Sequence, residues 1–201
     1  MLLKALNFAA QKHKNQKRKG GKETSPYINH LIEVAYLIED TGRYKDEATL
    51  CAAVLHDTVE DVGVTFEELK ENFNEEIANL VIECTDDKTL PKSERKKFQV
   101  EHTKTISFKA QNIKIADKIS NISGITTLNK PQSWDDIRVI SYLEWTKEVV
   151  DTVKNCNEGL YKLFLKTYEI EMKNIFPNFK NELEKLKEIV QYQYSEIDKE
   201  N

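Results

Sequence analysis

Glycine and proline are scarce in this 201-residue chain, at six and four residues. Alternating apolar and polar runs of the kind that form strands are equally hard to find. Both absences argue for an almost wholly helical protein. No apolar run reaches the ~20 residues needed to span a bilayer as a helix, and the N-terminus carries no signal-peptide pattern. A cytoplasmic protein with no membrane partner is therefore expected. The three cysteines, Cys51, Cys84 and Cys156, are widely spaced and odd in number. No metal-type or redox spacing links them, so they are expected to be reduced core thiols. A surplus of positive charge is also missing: the net charge is -4, which argues against nucleic acid as a partner.

What is present is 39% hydrophobic and 32% charged residues, enough for a real core under a heavily charged surface. One all-α domain, or one such domain plus an appendage, is expected. Helices are predicted at 2–14, 29–40, 46–56, 65–73, from the Asn74 cap to Cys84, from Ser93, at 108–122, 134–154 and 158–173, and over "NELEKLKEIVQYQY". Thr65 with Glu68 reads as a capping box. In the second helix Ile32, Ala35, Tyr36 and Leu37 or Ile38 are expected to face inward. No internal repeat or low-complexity segment occurs.

"KHKNQKRKGGK", residues 12–22, holds six basic residues and no acid. A bare charge run is usually a solvated face. In an acidic protein, with Gly20-Gly21 allowing backbone N–H groups to approach an anion, it also reads as a phosphate-binding loop. "AAVLHDTVEDVG", residues 52–63, sends an apolar run directly into His56-Asp57 and then Glu60-Asp61. On a helix or helical turn the four polar groups fall within an arc of ~140°. Carboxylates are rarely buried without a partner. His30 opens an apolar helix, and Asp117 sits inside "IKIADKISNI". Taken singly, such an Asp is more often paired with a neighbour such as Lys114, and such a His is more often a satisfied core residue. Together, His30, His56, Asp57 and Asp117 can form a set of two imidazoles and two carboxylates that suits Mn(II), Fe(II) or Mg(II) better than a sulfur-ligated zinc. Glu60 and Asp61, one turn further on, are placed to take a proton from a water or to orient it. His13 and His102 are expected on polar surfaces.

"HKNQKRKGGKETSPYINH", "AAVLHDTVED" and "IKIADKISNI" resemble, in order and spacing, the hydrolase domain of RelA/SpoT proteins, within the HD-type metal-dependent phosphohydrolases. "TDDKTLPKSERKKFQVEH" and "WDDIRVISYLEW" are similar to the small stand-alone alarmone hydrolases of the animal type. The likeness covers residues 1–160 and implies an HD-type helical domain there with one Mn(II) per chain, leaving 161–201 as a C-terminal helical extension expected to pack on that domain. It also implies hydrolysis of (p)ppGpp to GDP or GTP and pyrophosphate, with NADPH 2′-phosphatase activity as an alternative at the same site. A non-catalytic nucleotide-binding module is a third reading. By the same resemblance the metal ligands are His30, His56, Asp57 and Asp117, and the catalytic residues are Glu60, Asp61 and Asn121. Arg18, Lys19, Lys92, Arg138 and Tyr142 match nucleotide-facing positions. Tyr27 can offer the nucleotide a ring face or a hydroxyl, or else buttress His30. The chain departs from the family's usual pattern at Leu31, where proline is common, at Lys118, where arginine is common, and in a longer "LNKPQSW" loop.

Overall fold

The computed structural model describes residues 1–18, 20, 25–177, 185, 186 and 188. Ten helices and no named strand occur among them: α1 (Leu2–Lys12), α2 (Ile28–Asp40), α3 (Glu47–Leu55), α4 (Thr58–Val62), α5 (Phe66–Asn72), α6 (Glu75–Cys84), α7 (Lys92–Thr103), α8 (Phe108–Ile122), α9 (Asp136–Asp151) and α10 (Glu158–Ile175). The all-α expectation holds. The helix expected over "NELEKLKEIVQYQY" lies largely, and Lys19 wholly, outside the described residues.

Side-chain caps set many of the boundaries. Asp46, Thr65, Asn74, Ser107, Asp135 and Asn157 each accept a hydrogen bond from the backbone N–H three residues on, which satisfies a donor the helix cannot. The Asp135 cap explains why α9 begins after Trp134 rather than at it. At α7 the expected Ser93 start is wrong by one residue, because Pro91 precedes the helix and Ser93 is buried inside it.

Two helices form the middle of the molecule. In α3 every residue from Thr49 to Leu55 is buried, and α8 is buried along most of its length. A helix that is apolar all round belongs in a core. Around α3 pack α1, α2, α6 and α8, and α8 in turn contacts α2, α6, α9 and α10. On α2 the buried face is Leu31, Val34, Ala35, Leu37 and Ile38, while Ile32 and Tyr36 are exposed; the expected inward face was rotated. Likewise, α1 ends at Lys12, and His13 turns inward to 2% exposure instead of lying on the surface. His102 is half-buried and stacks on Phe98. Residue 160 falls inside α10, whose Leu160, Phe164, Tyr168 and Met172 share the main core with α3 and α8. Cys51 and Cys84 are buried and Cys156 is half-buried, all as free thiols.

Candidate functional site

The helix expected to end near His56 does end there, and Glu60 and Asp61 lie on the short separate helix α4. His56 caps the C-terminus of α3 and Asp57 precedes α4, with φ -94° and ψ 0°. Side chains take over the backbone's hydrogen bonds at this break: His56 Nδ1 donates to Ala53 O at 2.8 Å, and Thr58 Oγ1 donates to Leu55 O at 2.6 Å. Gly63, with φ 71°, closes α4 in the left-handed region that glycine adopts without strain. The break turns His56 and Asp57 toward the first turn of α2 and the middle of α8.

There they meet His30 and Asp117. His30 Nε2 lies 3.2 Å from Asp117 Oδ1 and 3.6 Å from Asp57 Oδ2. His56 Nε2 lies 3.0 Å from Asp57 Oδ2 and 3.6 Å from Asp117 Oδ1. One donor atom each from His30, His56 and Asp117 falls within 4.8 Å of the others. Ligands ~2.1 Å from an octahedral ion sit ~3 Å apart when adjacent, so this spacing is compatible with a divalent cation among these three groups, with Asp57 Oδ2 close to both imidazoles.

The tautomers fit as well. Ser120 Oγ donates to Glu33 Oε2 at 2.5 Å and lies 2.8 Å from His30 Nδ1. The hydroxyl hydrogen is committed, so Nδ1 must carry its own proton, and Nε2 faces the carboxylates with its lone pair. The Ala53 carbonyl fixes His56 in the same way. His56 Nε2 is buried and has no hydrogen-bond partner, and a buried lone pair facing two carboxylates asks for a cation. Without one, burial lowers the His56 imidazole's pKa, but Asp57 and Asp117 outweigh it and push it up to about 10. Burial raises the carboxyl of Asp117, but Lys118 and the two imidazoles hold it well below the usual range; Asp57 is held down against burial by His56 and His30. Two imidazole nitrogens and two carboxylate oxygens make a donor set for a hard or borderline divalent ion.

Other groups complete the pocket. Asn121 Nδ2 donates to Asp117 Oδ1 at 2.6 Å. Tyr27 donates its hydroxyl to Asp57 Oδ2 at 2.7 Å and packs edge-on to His30, so it buttresses the cluster while also lining the cavity. Asp117 pairs with Lys118 at 3.2 Å; Lys114, the partner weighed from sequence, instead donates to Cys84 O at 2.9 Å. Glu60 is half-buried, and burial, then Asp86 and Asp57, raise its carboxyl above the ordinary value. Asp61 Oδ1 accepts from Lys88 Nζ at 2.9 Å, and its Oδ2 accepts from Gln16 Nε2 at 2.7 Å.

The cluster lies at the bottom of a cleft with three lobes. A 140 Å³ lobe holds His56, Asp57, Glu60, Asp117 and Asn121. A 330 Å³ lobe is lined by Lys88, Lys92, Arg95, Lys96 and Arg138, with Tyr142. A 510 Å³ lobe is lined by Arg18, Tyr27 and Asn121, with Gln16 and Asn129. Trp134 and Tyr142 belong to both larger lobes, and Arg138 stacks on Trp134 at 5.1 Å. The guanidinium of Arg18 is held flat: one nitrogen donates to Asn121 Oδ1 at 3.0 Å, another to Ser120 O at 2.9 Å. Gly20, with φ 150°, lies so close to the 124–131 loop that a Cβ would stand 2.2 Å from Asn129 O. All the predicted site residues except Lys19, which lies outside the described residues, line these lobes or, like the buried His30, sit in the cluster beneath them. The sequence carried no expectation for Gln16, Lys88, Ser120 or Glu33, and marked Lys118 only as a departure from the family pattern. Ser120 had a signal, since it lies three residues after Asp117 on a shared helical face; the loop residues had none.

The chain is similar to known proteins over most of its length. Residues 5–140 match the HD domain family. The chain is 46% identical over 160 residues to the guanosine-3′,5′-bis(diphosphate) 3′-pyrophosphohydrolase MESH1 of Xenopus tropicalis, covering 80% of this chain and 88% of that protein. It is 43% identical over 159 residues to the Homo sapiens protein of the same name, covering 79% and 88%. A solved structure, described as a metazoan ortholog of SpoT that hydrolyzes ppGpp, superposes with a TM-score of 0.79 at 38% identity, over 84% of this chain and 93% of that one.

Proposed function

This chain belongs to the HD-domain family, and we propose that it is a Mn(II)-dependent enzyme that hydrolyses the 3′-pyrophosphate of (p)ppGpp, leaving GDP or GTP. The metazoan relatives carry the name of that activity. The observation that carries the reading is the pair of oriented imidazoles facing two buried carboxylates, with His56 Nε2 unpaired, beside a lobe lined by five basic side chains.

His30, His56, Asp57 and Asp117 would hold the ion. A divalent cation there supplies Lewis acidity toward a phosphoryl oxygen and eases deprotonation of water. The chain's own residues do the rest. Glu60, whose carboxyl is raised above the ordinary value, takes the proton from the attacking water. Asp61, held between Lys88 and Gln16, orients that water. Asn121 keeps Asp117 Oδ1 in place. The flat guanidinium of Arg18 offers a stacking face to the base, with Lys19 beside it in sequence. Lys92, Arg138 and their cationic neighbours bind the nucleotide's phosphates, and Tyr142 closes the boundary between the two larger lobes.

The test is release of pyrophosphate from ppGpp by purified protein, before and after chelation and again after Mn(II) is restored. Turnover that vanishes with chelator and returns with Mn(II) is expected. No pyrophosphate in the Mn(II)-restored sample, beside an active hydrolase control, would sink the reading. NADPH belongs in the same assay as the competing phosphomonoester substrate; a higher kcat/KM on NADPH would move the assignment to 2′-phosphatase.

A further inference from the structure

The imidazole of His13 is buried next to the site, yet packing does not explain it. The side chain is 2% exposed, and its ring stacks on that of Tyr27 at 5.1 Å and 24°. A phenylalanine would fill the same space without leaving a buried nitrogen unpaired, whereas His13 Nε2 has no hydrogen-bond partner. Its other nitrogen has one: Nδ1 lies 2.7 Å from Gln16 Oε1. The chemistry fixes every orientation in this chain of contacts. Asp61 Oδ2 accepts a bond of 2.7 Å from Gln16 Nε2. A carboxylate only accepts, so the amide must turn its NH₂ toward Asp61 and its oxygen toward His13. That oxygen also only accepts, so His13 Nδ1 carries the proton. The backbone around Gln16 is pinned too: its N–H donates to His13 O at 2.9 Å, and its carbonyl accepts from Tyr27 N at 3.0 Å.

We infer that His13 and Gln16 are positioning residues that act through one relay. The His13 Nδ1–H locks the face of the Gln16 amide so that its NH₂, and not its carbonyl, meets the Asp61 carboxylate. If the amide flipped, its oxygen would meet carboxylate oxygen, and Asp61 would swing toward Lys88, its other partner. Gln16 lies two residues before Arg18 and lines the same 510 Å³ lobe. The relay therefore ties the nucleotide-facing loop to the acidic pair on α4. The inference deepens the hydrolase reading and rests on Asp61 acting in that reaction.

The experiment is a cycle on the full Mn(II)-loaded chain with ppGpp as substrate. His13→Phe keeps the ring stack and removes the donor; Gln16→Met keeps the shape and removes the amide. Each should lower kcat by about ten-fold or more with KM little changed, the scale of a misplaced catalytic group. The double variant should lose no more than either single one, because both act through the same bond. His13→Asn, whose amide N–H mimics Nδ1–H, should recover most of the rate that His13→Phe loses. Wild-type kcat in His13→Phe, losses that multiply in the double variant, or an His13→Asn as slow as His13→Phe would overturn the relay. A second readout does not need turnover: the Gln16 side-chain NH₂ resonances, identified by their loss in Gln16→Met. They should be protected from solvent exchange in the wild type and in His13→Asn, and exchange freely in His13→Phe. If the wild type released no pyrophosphate, the hydrolase reading would fail while these resonances still decided the relay; equal exchange in wild type and His13→Phe would refute it.

Discussion

Glu60 and Lys96 show how a single side chain's surroundings set what it can do. Glu60 keeps company with Asp57 and Asp86, and its carboxyl holds a proton more readily than a solvated glutamate. Glu60→Gln preserves its shape and removes its basicity. The substitution is expected to leave metal content unchanged by elemental analysis and to lower kcat by about 10²–10⁴-fold; full turnover would refute its role as base. Lys96 lies over the Trp145 ring at 5.0 Å in the basic lobe. Burial, and then the neighbouring cations Lys92, Arg138 and Lys118, push its ammonium down to about 8. The sign follows: below that pH Lys96 is charged and attracts the polyanion, and above it the lobe loses a charge. The pH profile of kcat/KM should fall as pH rises through about 8, and Lys96→Arg, which stays charged, should remove that limb. The sequence marked His56-Asp57-Glu60-Asp61 as unusual because carboxylates followed an apolar run. It gave no such signal for His13, whose neighbours are lysines and which the turn after α1 carries inward.

At the scale of the element, α10 shapes the cleft by holding one of its loops. Its buried Glu171 accepts hydrogen bonds from Gly124 N, Thr126 N and Thr126 Oγ1, and so fixes the start of the loop whose Ile125, Asn129 and Pro131 line the nucleotide-sized lobe. Glu171→Ala strips partners from those donors. It is expected to destabilise the fold by about 1–3 kcal/mol in urea unfolding and to raise KM for ppGpp with kcat little changed; an unchanged KM would detach this loop from substrate binding. Helix boundaries were legible where a cap carried them, as at Thr65 and Asn74. The inward face of α2 was not. Apolar residues occupy both sides of that helix, so Ile32 and Tyr36 looked as fit for burial as Leu31 and Val34, and only the packing against α3 and α8 decides. The end of α3 near His56 was legible where the apolar run gives way to charge, but the side-chain hydrogen bonds of His56 and Thr58 that make the break were not.

For the whole molecule, the central α3 and α8 serve both stability and chemistry. They carry the core, and from their buried ends and faces they bring His56, Asp57 and Asp117 against His30 of α2. Residues far apart along the chain meet only when that core forms, which is why no local pattern reveals their distances, although their types and order did suggest a shared ion. The most direct measurement is anomalous diffraction at the manganese edge from crystals of the full chain grown with Mn(II), alongside Asp57→Ala. The account predicts one manganese peak in the native protein, within about 2.0–2.4 Å of donor atoms from His30, His56, Asp57 and Asp117, and a lost or much weaker peak in the variant with its helices intact. A peak seated elsewhere in the cleft, on Glu60 and Asp86 for instance, or undiminished occupancy in Asp57→Ala, would contradict it.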